Sequence, residues 1–351
     1  MNFLKTISEL NGVPGNETQV KNFMKDQLEG FVDEISYDGL GSIIGEKVGN
    51  KNGPRIMVAG HLDEVGFMVS KITKEGYIKV LTLGGWWSQV VLAQQVTITT
   101  DSGTEYHGVI GSKPPHVLTV EERKKPTDMK DIFIDLGVKD KEAVLALGVQ
   151  IGDMVTPYIK FREMADKNFL LGKAWDNRIG CAIAIQVAKN LKNEKHENVF
   201  YSVGTVQEEV GTRGAMTTSN KINPDIGIAV DVTIADDIPG GDSDCVFGKG
   251  PAIQIYDGGL IGHRALRKHI QAVAEKHDIP YQISFLRAGA FDSMKMSIAH
   301  DGAPSVSIGI PSRYIHSHTS MIHRQDYENC VKLVTEVVKS LDRKTVDKIT
   351  Y

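Results

Sequence analysis

The sequence predicts an α/β protein: a mixed, largely parallel sheet covered by helices on both faces, interrupted by an inserted β-rich, barrel-like domain. After Asn168, short apolar strands alternate with helix-length amphipathic segments, the pattern of a sheet buried on both sides. From about Val69 to Asn168 helical periodicity nearly disappears, and β-branched runs broken by Gly, Pro and charged turns take its place. A chain of 351 residues is also long enough for two or three domains and a large core without staples. The expected division is therefore residues 1–68 with 168–351 as one α/β unit, and 69–167 as the insert.

In chain order, Asn16 is placed to cap a helix whose Val20, Phe23, Met24 and Leu28 share one face. Val32–Tyr37 and Ser42–Val48 form a strand pair joined through Asp38-Gly39, and Pro54–Gly60 is an apolar run suited to a buried strand ending in His61. Within the insert, strands are expected in Val90–Thr100, Ile132–Leu136 and Met154–Ile159, and the charged, Pro-containing Val120–Lys130 reads as a surface loop. Beyond it come helix Asp176–Leu191, strand Val199–Val206, a helix near Arg213–Asn220, strand Ile226–Asp231 and helix His263–Lys276. Strand Tyr281–Phe285, helix Phe291–His300, strand Ser305–Ile310 and a helix from about Gln325 to Leu341 complete the series.

Composition narrows the function classes. A formal charge of −4 with both signs interspersed gives no drive toward nucleic acid or an anionic membrane. No apolar run approaches the roughly 18 residues that span a bilayer, and Met1–Gly12 lacks the features of a signal peptide. Cys181, Cys245 and Cys330 are a scattered odd set, which suits a reducing cytoplasm.

In such a sheet, ligands collect at the carboxyl ends of strands. Reading those ends finds His61 and Asp63, then Glu208 and Glu209, then Asp231, with His316 shortly after Ser305–Ile310 and Asp176 opening a helix. Two divalent metals need a bridging carboxylate and about two further ligands each, and imidazole and carboxylate donors suit zinc or cobalt. His61, Asp176, Glu209, Asp231 and His316 supply that set. Asp63 sits two residues after His61, where its carboxylate would hold the imidazole's other nitrogen. Of the adjacent glutamates, one can bind metal while the other takes a proton from the attacking water. Each residue alone has a plainer role: Asp176 as a helix cap, the glutamates as a solvated pair, Asp231 as a turn former. Only the constellation points to hydrolysis.

Five motifs in order, Ala59–Gly66, Lys173–Arg178, Val206–Gly211, Ala229–Thr233 and Arg313–Ser317, resemble the signature of the co-catalytic metallo-aminopeptidases that build tetrahedral shells. That family includes glutamyl and deblocking aminopeptidases, some carrying an endoglucanase label, and the glutamyl branch is the most similar. The resemblance implies that His61 and Asp231 bind one metal, Glu209 and His316 the other, and Asp176 bridges them. It makes Glu208 the general base and Asp63 the partner of His61. It further implies that the β-domain pairs protomers into dimers, six of which close into a hollow dodecamer admitting short peptides with a free N-terminus.

Relatives commonly carry Gly-Gly-Thr-Asp-Ala near the substrate pocket, whereas this chain has Gly289-Ala290-Phe291-Asp292-Ser293, which keeps the Asp and changes the pocket's shape. Arg287 precedes that stretch and could pair with an acidic side chain, so the expected preference is for N-terminal glutamate or aspartate, with Arg287 and Asp292 as substrate contacts. The alternatives are a broad, neutral leucyl-type aminopeptidase and an acyl-amino-acid deacylase on the same scaffold.

Overall fold

The computed structural model describes residues 2–242 and 244–350. Its organising element is an 11-stranded sheet whose four central strands, Val199–Thr205, Arg55–His61, Ile226–Ile234 and Ser305–Arg313, run parallel in that order. These segments are almost wholly buried, so their near-continuous apolar sequence reflects helices on both faces. The parallel character is confined to this centre and to one outlying pair. Glu34–Tyr37 and Ile43–Val48 extend one edge in antiparallel fashion, and Ser320–His323, Phe169–Gly172 and Arg162–Glu163 extend the other. Ala252–Tyr256 and Gln282–Phe285 branch from Ser305–Arg313.

The helix Trp175–Asn190 crosses the sheet at unusually close range. A Cβ on Gly60 would lie 2.4 Å from the Cys181 nitrogen, and one on Gly180 would lie 2.1 Å from the Val230 oxygen. Only glycine at both positions lets helix and strands meet backbone to backbone, which brings the start of the helix over the ends of Arg55–His61 and Ile226–Ile234. Ile179, Cys181, Ile183 and Val187 join Ile56, Val58 and Ile228 in the main core.

A second core belongs to a closed six-strand barrel: Gly66–Ile72, Ile78–Leu83, Phe133–Asp135, Glu105–Gly111, Gln95–Thr99 and Met154–Pro157, the last pairing with the first. Alternate residues such as Phe67, Val69, Ile78, Val96, Ile98, Ile110 and Val155 fill it. The tryptophan pair divides. Trp86 stacks on Phe67 with ring centroids 4.8 Å apart and donates its indole N–H to the Gly66 carbonyl, while Trp87 is 60 % exposed.

Some expected elements differ. Arg162–Glu163, expected in the insert, joins the large sheet, since β-branched patterning marks a strand without saying which sheet it enters. The loop expected over Val120–Lys130 contains a one-turn helix, Val120–Arg123, closed by a capping box between Thr119 and Glu122. Glu17, not Asn16, occupies the cap position of helix Thr18–Leu28. The short strands Ala252–Tyr256 and Ser320–His323 and the helices Asn2–Glu9 and Arg343–Thr350 were not legible at all.

Candidate metal centre

Five of the predicted side chains converge where the central strands end. His61 closes Arg55–His61 and is buried, and its Nε2 lies 3.0 Å from Asp176 Oδ1, 3.8 Å from Asp231 Oδ2 and 3.8 Å from Glu208 Oε2. His316 Nε2 lies 3.5 Å from Asp176 Oδ2 and 3.4 Å from Glu209 Oε2. Donor atoms of His61, Asp176 and Asp231 fall within 4.8 Å of one another, as do those of Asp176, Glu209 and His316. Asp176 belongs to both triads, offering one oxygen to each histidine.

Local backbone explains each placement. Asp176 does not cap its helix: Ala174 is the cap residue, in the left-handed region, and Asp176 has non-helical angles that turn its carboxylate toward the histidines. Asp231 lies inside a strand that runs on to Ile234. His316, with φ +57°, turns back after Ser305–Arg313.

Both imidazoles are oriented by backbone carbonyls: His61 Nδ1 lies 3.0 Å from the Asp63 oxygen and His316 Nδ1 lies 2.8 Å from the Gly85 oxygen. Each Nε2 is thereby directed at the carboxylates. Gly85, from the barrel side, is a contributor that no sequence signal marked. The Asp63 carboxylate differs from expectation. It lies 3.6 Å from His61 Nδ1 and instead accepts the backbone N–H groups of Glu208 and Glu209, both at 3.0 Å. The chain turns after His61, so the strand alternation that would have put Asp63 beside the ring does not continue.

The electrostatics are those of an anionic pocket around two imidazoles. Burial pushes Glu208 and Asp231 well above the usual carboxylate range despite the counteracting charge of His61, and raises Glu209 to about 8. Burial disfavours the charged form of the histidines, yet Asp231, Asp176 and Asp63 hold His61 well above its ordinary value, and Asp176 and Glu209 raise His316 to about 9. Asp176 is lowered against its own burial by hydrogen bonds from His316 and His61. Glu209 Oε1 is buried with no hydrogen-bond partner. So many carboxylates around two ring nitrogens, with an unpartnered buried oxygen among them, is a donor set that fits divalent cations.

The same residues fall within a stretch shared with a known lineage: residues 41–333 match the family model of the M42 glutamyl aminopeptidases. The chain belongs to the M42 glutamyl aminopeptidase family. Over 99% of both chains it superimposes with a TM-score of 0.97 and 41% identity on the TET aminopeptidase of a marine sediment archaeon, Thaumarchaeota archaeon SCGC AB-539-E09. It is 33% identical over 343 residues to the lysyl aminopeptidase of Pyrococcus furiosus, covering 96% of each. The TET1 peptidase of Pyrococcus horikoshii, described as able to assemble into a tetrahedron or a large octahedral shell, matches at TM-score 0.88 and 28% identity over 97% of this chain and 99% of that one. As an M42 protein it is a metal-dependent aminopeptidase. No described helix is long and apolar enough to cross a membrane.

The cluster of carboxylates and imidazoles opens into a cleft of about 560 Å³. Besides the anionic cluster, Val232, Ile234, Leu286, Phe291, Met294 and Ile315 line it, and no lysine or arginine does so among the described residues. Neither predicted substrate contact lies there. Arg287 is exposed with its guanidinium over the Phe285 ring, 6.0 Å from the centroid, because it follows the end of strand Gln282–Phe285 on the outward side. Asp292 is buried beneath the cleft, accepting the Thr205 hydroxyl at 2.5 Å, and burial raises it to about 6.

Proposed function

We propose that the protein removes neutral, apolar N-terminal residues from short peptides, with two divalent metals held by His61 and Asp231, by Glu209 and His316, and by Asp176 between them. The observation that carries this reading is the pair of triads sharing Asp176, with Glu208 adjacent yet belonging to neither. Ions bound there supply Lewis-acid polarisation of the scissile carbonyl and lower the pKa of the attacking water. Glu208, 3.8 Å from His61, takes the water's proton as oxygen attacks the carbonyl carbon, and delivers it to the leaving nitrogen as the C–N bond breaks. Asp63 keeps both glutamates aimed through their backbone N–H groups.

The preference for acidic residues rested on Arg287, and with that side chain outside the cleft the support passes to the neutral alternative. An apolar lining favours apolar side chains, and burying a substrate carboxylate beside Glu208 and Asp231 without a cation is costly. For assembly, the exposed barrel residues Leu81, Trp87 and Val109 support pairing of copies through the barrel, and the shells described for the Pyrococcus horikoshii relative support a larger closed particle.

The decisive experiment compares Glu208→Gln with Glu209→Gln. The first should keep its metal and lose about 10²–10⁴-fold in turnover. The second should lose metal and recover partly when metal is added in excess. Normal turnover by Glu208→Gln would remove the proposed base. Reporter rates in the order leucyl, then lysyl and glutamyl, support the neutral pocket, and a glutamyl preference would overturn it.

A further inference from the structure

The turn carrying Glu208 and Glu209 is held on its N–H side by side chains, while the carbonyls of Val206, Gln207 and Glu208 accept backbone N–H groups from residues 211–214. Four consecutive backbone N–H groups each donate to a side-chain oxygen: Val206 to Ser42 Oγ at 3.3 Å, Gln207 to Glu17 Oε1 at 3.1 Å, and Glu208 and Glu209 to the two oxygens of Asp63. Gln207 adopts φ +56°, a left-handed conformation that a non-glycine residue keeps only when its surroundings hold it there. Its N–H is the one taken by Glu17, 190 residues earlier in the chain and 6 % exposed. The same Glu17 oxygen accepts the Gly15 N–H at 2.7 Å, which ties the carboxylate to the turn before helix Thr18–Leu28. The N-terminal segment therefore reaches under the site and grips the residue immediately before the two glutamates.

We propose that Glu17 is a positioning residue: by holding the Gln207 N–H it fixes the left-handed turn that aims Glu208 and Glu209. This rests on the reading of Glu208 as base and Glu209 as metal ligand. Displacement of a reacting group by about 1 Å can cost on the order of 10²-fold in rate, so Glu17→Ala should lower kcat about 10- to 100-fold with KM little changed. Glu17→Gln keeps an acceptor oxygen at the same reach and should restore most of that loss. Glu17→Asp keeps the charge, retracts the oxygen by one methylene and should remain impaired. Adding Gln207→Gly to Glu17→Ala should recover part of kcat, because glycine takes a left-handed φ without being held.

The test measures kcat, KM, metal content and thermal midpoint for these variants and for Glu208→Gln alone and with Glu17→Ala. If Glu17 acts through the glutamate turn, Glu17→Ala adds less than about threefold to the loss already caused by Glu208→Gln. Wild-type kcat in Glu17→Asp, or equal impairment of Glu17→Gln and Glu17→Ala with no recovery from Gln207→Gly, overturns the proposal and leaves Glu17 as an anchor of its own helix. If Glu208→Gln turns over normally, the base assignment fails by itself, and Glu17 is then judged on metal content: a fall in Glu17→Asp supports the positioning role, and unchanged content overturns it. Should Glu17→Ala not fold, the comparison of Glu17→Asp with Glu17→Gln decides.

Discussion

Asp63→Asn tests the idea that this buried carboxylate, which takes the N–H groups of both glutamates, helps to hold the turn carrying Glu208 and Glu209. The wild-type group is fully buried and accepts two backbone N–H groups at 3.0 Å. Asparagine can serve one of them through its oxygen, but its amide nitrogen then faces the other N–H, leaving a buried donor unpaired at a cost of about 1–3 kcal/mol. The surviving bond also loses its charge assistance, about 1 kcal/mol more. Against this, removing the charge relieves repulsion with Glu17 and Glu209, whose proton affinities Asp63 raises. The net loss should therefore sit near the lower end, about 2 kcal/mol, or roughly a 30-fold shift in the folding equilibrium. Metal affinity should fall about 10- to 100-fold as the Glu209 backbone is released. Urea denaturation of metal-free protein gives the first quantity and calorimetric titration with zinc, cobalt or manganese the second. An unchanged midpoint together with metal affinity within threefold of wild type would refute this role of Asp63.

Removing His316 by His316→Ala should strip metal, whereas His318→Ala should retain it and lose about 2–3 kcal/mol of stability through the cavity left beside Trp86; metal analysis and denaturation separate the two. Both ring nitrogens of His318 are buried without hydrogen-bond partners, and burial, with Lys173 nearby, lowers it to about 4, so it stays neutral. Metal-free protein should become less stable as pH rises from about 4.5 to 7. Glu17 is raised to about 7, chiefly by burial and then by Asp63, so the folded state binds its proton across that interval while the unfolded state has released it. The interval corresponds to on the order of 3 kcal/mol, and Glu17→Gln should flatten the dependence by about that amount in denaturation at several pH values. Sizing at neutral pH should show a multimer built from dimers, and Trp87→Lys should shift it toward smaller species; a monomer over a wide concentration range would contradict the barrel as a pairing surface.

What the sequence disclosed follows from what each residue depends on. His61, Glu208, Glu209 and Asp231 were legible because polar residues recur at the carboxyl ends of successive apolar runs, a pattern that none of them carries alone. Asp176 and His316 became visible only as members of the set, since their placement depends on non-helical angles and a left-handed residue that spacing does not encode. Asp63 was found for its position and misread in its contacts, because the chain turns where the strand was extrapolated. Arg287 failed for the related reason that its outward direction is set just beyond the last paired residue of a short strand. Glu17 and Gly85 were invisible: one resembles any acidic residue at a helix start, the other any glycine in a turn, and each acts on a partner far along the chain.

The Gly85 carbonyl has a consequence for how this enzyme can be divided. It lies on the connection leaving barrel strand Ile78–Leu83 and fixes the ring of His316, which follows a strand of the large sheet. The barrel is thus not a detachable accessory but part of the wall of the reaction chamber. A shortened version lacking it would lose the carbonyl that fixes one imidazole, which would then be free to swivel. Swapping barrels between relatives would succeed only where the incoming turn presents a carbonyl at the same place. The segment that carries this carbonyl belongs to the connection between the barrel and the large sheet's cleft, one hydrogen bond away from the histidine.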